Sequence, residues 1–226
     1  MLPLSPTVLV GAVAALGRGG PPSGIGKWPV AGPWQIARLG LAGDAQGDLK
    51  HHGGPEKAIH QYPFDHYAAW EAEIGPHPLL AAPGAFGENL SGKGWTEETI
   101  CIGDVARFGR SLLQVSQGRQ PCFKLNLRFG RTDMARDLQR TGRTGWYWRV
   151  LEEGEVQQGA ALAVVDRPRA DWPLSRLLKL LYHDLDNRAD IAAMAELPEL
   201  AENWRVLARR RIKSGRVEDW SNRLNS

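Results

Sequence analysis

Cysteine is scarce in this chain, with two residues in 226, and that scarcity excludes several chemistries at once. Two thiols cannot hold an iron–sulfur cluster ligated by four cysteines, nor a structural zinc site of that kind. A chain of this length can bury a full core without a disulfide staple, so reduced thiols are expected. Long hydrophobic runs are missing too. The apolar run from Val8 to Leu16 falls far short of the roughly 20 residues a membrane span needs. No basic residue precedes it as in a secretory signal, so the expectation is a cytoplasmic protein with no membrane partner. Nucleotide signatures are absent as well. The segment Gly17 to Lys27 has no glycine at the place a phosphate loop requires before Gly26-Lys27, and Trp28 stands where a magnesium-holding hydroxyl belongs. It reads as a flexible loop and carries no dinucleotide fingerprint either. No Gly-x-Ser-x-Gly elbow occurs, which removes the most recognisable serine hydrolase reading.

What is present is a modest excess of positive charge, with 28 Lys and Arg against 25 Asp and Glu. The densest basic stretch runs from Arg205 to Arg216. Trp204, Leu207, Ala208 and Ile212 recur there at helical spacing, so the stretch reads as an amphipathic helix with a solvated basic face. Nucleic acid is the less favoured partner, because base reading needs a recognisable docking motif.

Cys122 follows Pro121 and sits between Arg119 and Lys124. Nearby cations favour a thiolate, the form that attacks electrophiles and binds soft metals. The competing reading is a small apolar filler, a common use of a lone cysteine.

The pattern changes near residue 168. Before it, short β-rich runs alternate with Gly and Pro: Thr7 to Leu16, Trp34 to Leu41, Lys57 to Tyr62, Ile100 to Phe108, Leu112 to Ser116, Trp146 to Leu151 and Ala161 to Val165. These predict a mainly β, barrel-like domain over residues 1–167. Two helices are inserted, at about Pro63 to Ile74 and Asp133 to Gln139. Over residues 168–226 the period becomes helical through Leu174 to Tyr182, Ile191 to Leu197 and Asn203 to Ile212, which predicts a small three-helix domain. Such an appendage would serve either to form a homodimer or to cover a pocket, and periodicity does not choose between them.

Three further clusters combine glycine with polar groups. The first holds Gly43-Asp44, Asp48 and His51-His52-Gly53-Gly54-Pro55 ahead of His60. The second is Gly84 to Leu90 with Glu88 and Asn89, and the third is Thr141 to Trp148 with Arg143. Each suits a polar ligand approached by backbone, and each is also ordinary turn chemistry.

Taken together, His52-Gly53-Gly54-Pro55, Gly87-Glu88-Asn89-Leu90, Gly103-Asp104, Val115-Ser116-Gln117, Arg119, Pro121-Cys122 and Lys124-Leu125-Asn126 resemble the MOSC domain of the YiiM group. The resemblance spans about Leu39 to Val165, and the tail resembles the three-helix extension of that group. It implies a barrel-like domain that binds the molybdenum cofactor, with Cys122 as the metal ligand. It also implies an oxidoreductase that reduces N-hydroxylated base analogues such as 6-N-hydroxylaminopurine to the amine, a detoxification. Arg119 and Lys124 are then candidates for the anionic end of the cofactor or for holding the thiolate. Ser116, Gln117, Asn89 and the His52-Gly53-Gly54 turn are candidates for the pterin edges, with Lys57 and Arg143 for its phosphate and Asn126 as a further cofactor-binding candidate. His52, His60 and Glu88 are candidate proton donors. With no flavin or nicotinamide fingerprint, the electrons are expected from an external flavoprotein reductase. Two other classes remain open: a cofactor carrier or sulfur-transfer module using Cys122 without reduction, and a nucleic-acid-binding regulator using the basic helix. Capture of pyridoxal phosphate by Lys57 or Lys124 is more remote, since nothing around them demands a Schiff base.

Overall fold

The computed structural model describes residues 1–47 and 53–225. Its frame is one mixed sheet of eight strands: β1 (Thr7–Val10), β2 (Trp28–Pro29), β3 (Ile59–Pro63), β4 (Leu90–Gly92), β5 (Val105–Phe108), β6 (Ser111–Gly118), β7 (Trp146–Glu152) and β8 (Leu162–Asp166). Across the sheet they run β8, β5, β6, β7, β3, β4, β1, β2, and only the β3–β4 pair is parallel. Leu4, just ahead of β1, exchanges two backbone hydrogen bonds with Leu162 of β8. That bridge brings the far edge back toward the other end of the sheet, which curls it into the expected barrel-like form. Strand alternation explains the inner face: Trp146 and Trp148 of β7 are fully buried while Tyr147 between them points the other way. Burying each such side chain contributes about 1.5–3 kcal/mol.

Four helices are packed against or inserted into the β region or close the chain: α1 (Asp65–Ile74), α2 (Lys124–Phe129), α3 (Met134–Thr141) and, after the tail, α7 (Ser221–Leu224). Between α3 and α7 come the three helices of the tail, α4 (Leu174–Tyr182), α5 (Arg188–Ala195) and α6 (Glu202–Ser214). The tail does not float. One apolar core runs from β6 and β7 into Leu177, Leu178 and Trp204. Gly118 marks the closest approach, since a Cβ there would lie 3.2 Å from both Leu178 and Trp204 side chains.

Several expected elements change. The run Thr7 to Leu16 is strand only to Val10, and Trp34 to Leu41 is a hairpin of Trp34–Ala37 with Gly40–Leu41. Strand is restricted to Val105–Phe108 within Ile100 to Phe108. On α6 the buried face takes Arg211 in place of Ile212, which is 43% exposed. The Arg211 guanidinium donates to the carbonyls of Leu180 and Leu181 at 3.0 and 2.9 Å and to Glu218 at 2.7 Å. It thereby satisfies acceptors that the end of α4 leaves open, which an isoleucine cannot do.

Candidate functional site

The ends of β6, β7 and β3 meet the loops around residues 23–27, 44–47 and 86–89 at a cavity of about 650 Å³, part of it open to solvent. Cys122 stands on its wall, 7% exposed, one residue before the first turn of α2. Arg119, Lys124, Lys57, Lys27, His60, Asn89 and Tyr147 also line it.

Strand geometry puts Arg119 and Tyr147 here. Ser116 is an extra residue in β6: Val115 pairs with Trp148 and Gln117 with Tyr147, so Ser116 has no partner across the ladder. A bulge of this kind bends the strand and re-aims the residues that follow. The Ser116 hydroxyl lies within hydrogen-bonding distance of the carbonyls of Glu56 (2.6 Å) and Tyr147 (3.1 Å), and its carbonyl accepts from Ala201 at the start of the tail's last helix. Arg119 beyond the bulge is 6% exposed, and its Nη1 is buried without a hydrogen-bond partner. A buried guanidinium nitrogen in that condition is costly unless a ligand or water completes it.

His60 is 4% exposed, its ring 5.1 Å from that of Tyr147, and its Nε2 has no partner in hydrogen-bonding geometry. Burial, then the charge of Arg119, holds its pKa well below the ordinary 6.5, so the imidazole is neutral at physiological pH. Tyr147 is pushed above its ordinary value, chiefly by burial, and remains a phenol.

Lys27 and Asp44 form an ion pair at the cavity with both side chains 6% exposed. Burial lowers the Lys27 pKa against the opposing pull of Asp44. Asp44 also accepts from the Gly11 amide and from Asn89 Nδ2, both at 2.9 Å. Asn89 Oδ1 in turn accepts from the His60 amide at 3.0 Å. Asn89 therefore joins the loop carrying Asp44 to the strand carrying His60. The loop from Ser23 to Lys27, expected to be a flexible connection, supplies one wall of the cavity. Gly87 lets it approach: at φ +76°, a Cβ would sit 2.7 Å from Ile25 Cγ1.

Other sequence candidates stand elsewhere. Glu88 is fully buried and does not line the cavity; it accepts from Tyr67 Oη at 2.5 Å and from the amides of Gly84 and Phe86 at 2.8 and 3.1 Å. Its carboxylate ties the loop together, which corrects its expected place as a proton donor. Asn126 Nδ2 donates to the Leu224 carbonyl and its Oδ1 accepts from the Ala135 amide, both at 2.8 Å, so it fastens α2 to α7 and α3. Gln117 is 1% exposed with Oε1 unpartnered, and like Ser116 it lies off this cavity wall. Gly53 and Gly54 do not line it either, but Gly54 opens the turn Pro55–Lys57 that delivers Lys57. Arg143 faces a second cleft between α1, α3 and α4, where it pairs with Glu73 at 2.7 Å. His52, with Asp48 and His51, lies outside the described residues.

The MOSC domain model matches residues 48–163, the stretch that builds most of this wall, Cys122 included. The chain belongs to the MOSC family. Residues 172–215 match the YiiM-like, 3-alpha helix domain. The chain is 44% identical to the uncharacterized protein YflK of Bacillus subtilis, over 81% of this chain and 82% of that one. It is 38% identical to protein YiiM of Escherichia coli, over 91% of each. The crystal structure of the latter superposes with a TM-score of 0.85 and covers both chains in full. A protein of Gibberella moniliformis named as a reductase is 37% identical over 85% of this chain, which spans 34% of that longer protein. MOSC domains are associated with binding of the molybdenum cofactor, so a function related to that cofactor follows for the family. Among the described residues no helix is long and apolar enough to cross a membrane.

Proposed function

We propose that this chain binds the molybdenum cofactor in the cavity beside Cys122 and reduces N-hydroxylated compounds, among them N-hydroxylated bases, to the amine. The observation that carries the proposal is the pairing of Cys122 with the buried, incompletely bonded Arg119 on one cavity wall. Among the described residues no three His, Cys, Asp or Glu side chains converge on a metal position, so further donors must come from the ligand itself. A pterin dithiolene offers two soft sulfurs, and a protein thiolate suits the same metal. The cavity also fits the rest of the group: Arg119, Lys57, Lys124 and Lys27 offer cationic donors to a phosphate, and Arg119 Nη1 gains the acceptor it lacks.

When bound, the cofactor supplies two electrons for R–NHOH + 2 e⁻ + 2 H⁺ → R–NH₂ + H₂O. The chain's part is to bind, orient and supply protons. His60, neutral at working pH, acts as a hydrogen-bonding group and not as a charged acid. Lys27, with its lowered pKa, is the better cationic proton source on the wall. Tyr147 on the cavity wall offers an aromatic ring to a planar substrate. The electrons come from an external flavoprotein reductase. The reductase-named relative supports the reaction class.

The test is turnover of 6-N-hydroxylaminopurine by cofactor-loaded protein with a flavoprotein reductase and NADH. Formation of the amine, lost in Cys122→Ser, is the expected result. Loaded protein that holds molybdenum but reduces no N-hydroxylated compound, even with an artificial reductant, contradicts the reductase and favours a cofactor carrier.

A further inference from the structure

The last residues of the chain lie beyond the segment that matches the three-helix domain, and they return to the cysteine. Helix α6 ends at Gly215, whose φ of 64° turns the chain, and residues 216–225 run back to α2 and α3. There the Phe123 amide donates to the Arg223 carbonyl at 2.8 Å, and Asn126 Nδ2 donates to the Leu224 carbonyl at 2.8 Å. Arg223 Nη2 donates to Gln139 at 2.8 Å, and Arg136 donates to Asn225 at 3.0 Å. The Leu224 side chain, 7% exposed, enters the apolar cluster that holds Leu125 and Phe129 of α2. Trp220 meets the ring of Tyr182 edge-on at 5.9 Å, which fixes the strap to the tail as well.

One consequence is local to the thiol. The peptide group joining Cys122 to Phe123 is bonded at both ends: its carbonyl accepts from the Leu125 amide at 2.9 Å, and its N–H donates to Arg223 of the strap. The first of those bonds belongs to the short helix. The second comes from one hundred residues downstream and sets the orientation of the segment on which Cys122 rides.

We propose that residues 216–225 are a positioning strap for Cys122, holding the α2 segment so that the thiol stays on the cavity wall. The inference rests on Cys122 being the working thiol of the cavity. Without the strap, the Phe123 N–H and the Asn126 amide lose their protein acceptors, and the apolar cluster around Leu125 opens to water. The segment carrying the thiol then opens more often while the sheet stays folded.

The test uses the full chain without cofactor, alkylated by iodoacetamide under native conditions, with peptide mass spectrometry counting Cys122 and Cys101 separately. Variants are Leu224→Ala, Leu224→Met and a chain ending at Arg216. Met194→Ala, buried in the other core at 1% exposure, is the control for general destabilisation. In Leu224→Ala and in the shortened chain, Cys122 should react roughly fivefold faster or more, the factor that follows from losing about one hydrogen bond or its equivalent in packing. Leu224→Met should restore the native rate, Met194→Ala should leave it unchanged, and Cys101 should react alike in all. A folded Leu224→Ala protein with the native Cys122 rate overturns the proposal, as does an equal acceleration in Met194→Ala. Should the shortened chain fail to fold, Leu224→Ala decides. Whether Cys122 binds molybdenum is read independently, by metal analysis of the native chain and Cys122→Ser.

Discussion

Cys101 and Cys122 are almost equally buried, at 3% and 7% exposure, and their surroundings differ. Cys101 lies on the turn before β5, where its amide donates to Asp104 Oδ2 at 2.9 Å and its Sγ faces the Ala170 carbonyl at 3.7 Å. Burial first, and then the Asp104 carboxylate, raises its pKa, which keeps it an inert thiol. Cys122 shares a cavity wall with Arg119, Lys57 and Lys124. The two clefts differ as well. In the cleft by α4, His66 is paired with Glu97 at 2.7 Å and Arg143 with Glu73 at 2.7 Å, although Arg143 Nη1 is itself buried without a partner; in the cavity by Cys122, Arg119 Nη1 and His60 Nε2 are both left without one. Burial alone therefore does not mark a working residue here. What sets the cavity by Cys122 apart is that it gathers Arg119, Lys57 and Lys124 around a thiol.

The largest effect should come from exchanging the two cysteines' fates. Cys122→Ser should abolish N-hydroxylamine reduction, while Cys101→Ser should leave it at the native level; equal losses in both would erase the distinction. Next, Arg119→Leu should weaken retention of the cofactor about 10- to 100-fold, the value of a charged hydrogen bond of roughly 1.5–3 kcal/mol. Arg143→Leu in the paired cleft should not change it, and metal content after extended dialysis checks both. Glu88→Gln should lower stability by about 2–3 kcal/mol, because two amides of the 84–88 loop and the Tyr67 hydroxyl of α1 lose a charged acceptor. A thermal melt with unchanged cofactor retention per folded molecule would place Glu88 in the scaffold.

The smallest expected effect is in pH dependence. The folded His60 pKa lies below its unfolded value near 6.5, so below that pH the unfolded chain binds a proton that the folded chain refuses. Its contribution to stability is complete above 6.5 and is lost as pH falls toward the folded value. His60→Gln should flatten that part of the stability curve, and an unchanged slope in denaturant titrations at pH 7 and 5.5 would show that His60 is not held neutral.

Much of this frame could be read before any coordinates. Short β-rich runs punctuated by Gly and Pro marked β3, β6, β7 and β8, and the helical period marked α4 to α6. Helix α2, six residues beginning two positions after Cys122, is too short to declare a period. Polar residues in the motifs were visible as types but not as directions. Ser116, Glu88 and Asn126 all turn toward neighbouring backbone, and Arg143 turns to the other cleft. In the other direction, Lys27 and Asp44 belong to two glycine-rich loops that read as connections, and only the fold brings them together. The signal that was available is a lysine at the end of one such loop and an aspartate in the other, each near apolar strand residues, where a buried charge requires a partner.

The central claim, that Cys122 holds molybdenum in this cavity, is tested most directly by the molybdenum-to-protein ratio after expression in a host that makes the cofactor. Native chain and Cys101→Ser should each carry near-stoichiometric metal, and Cys122→Ser should carry none. Equal metal in Cys122→Ser and the native chain, or none in any of the three, would contradict the account.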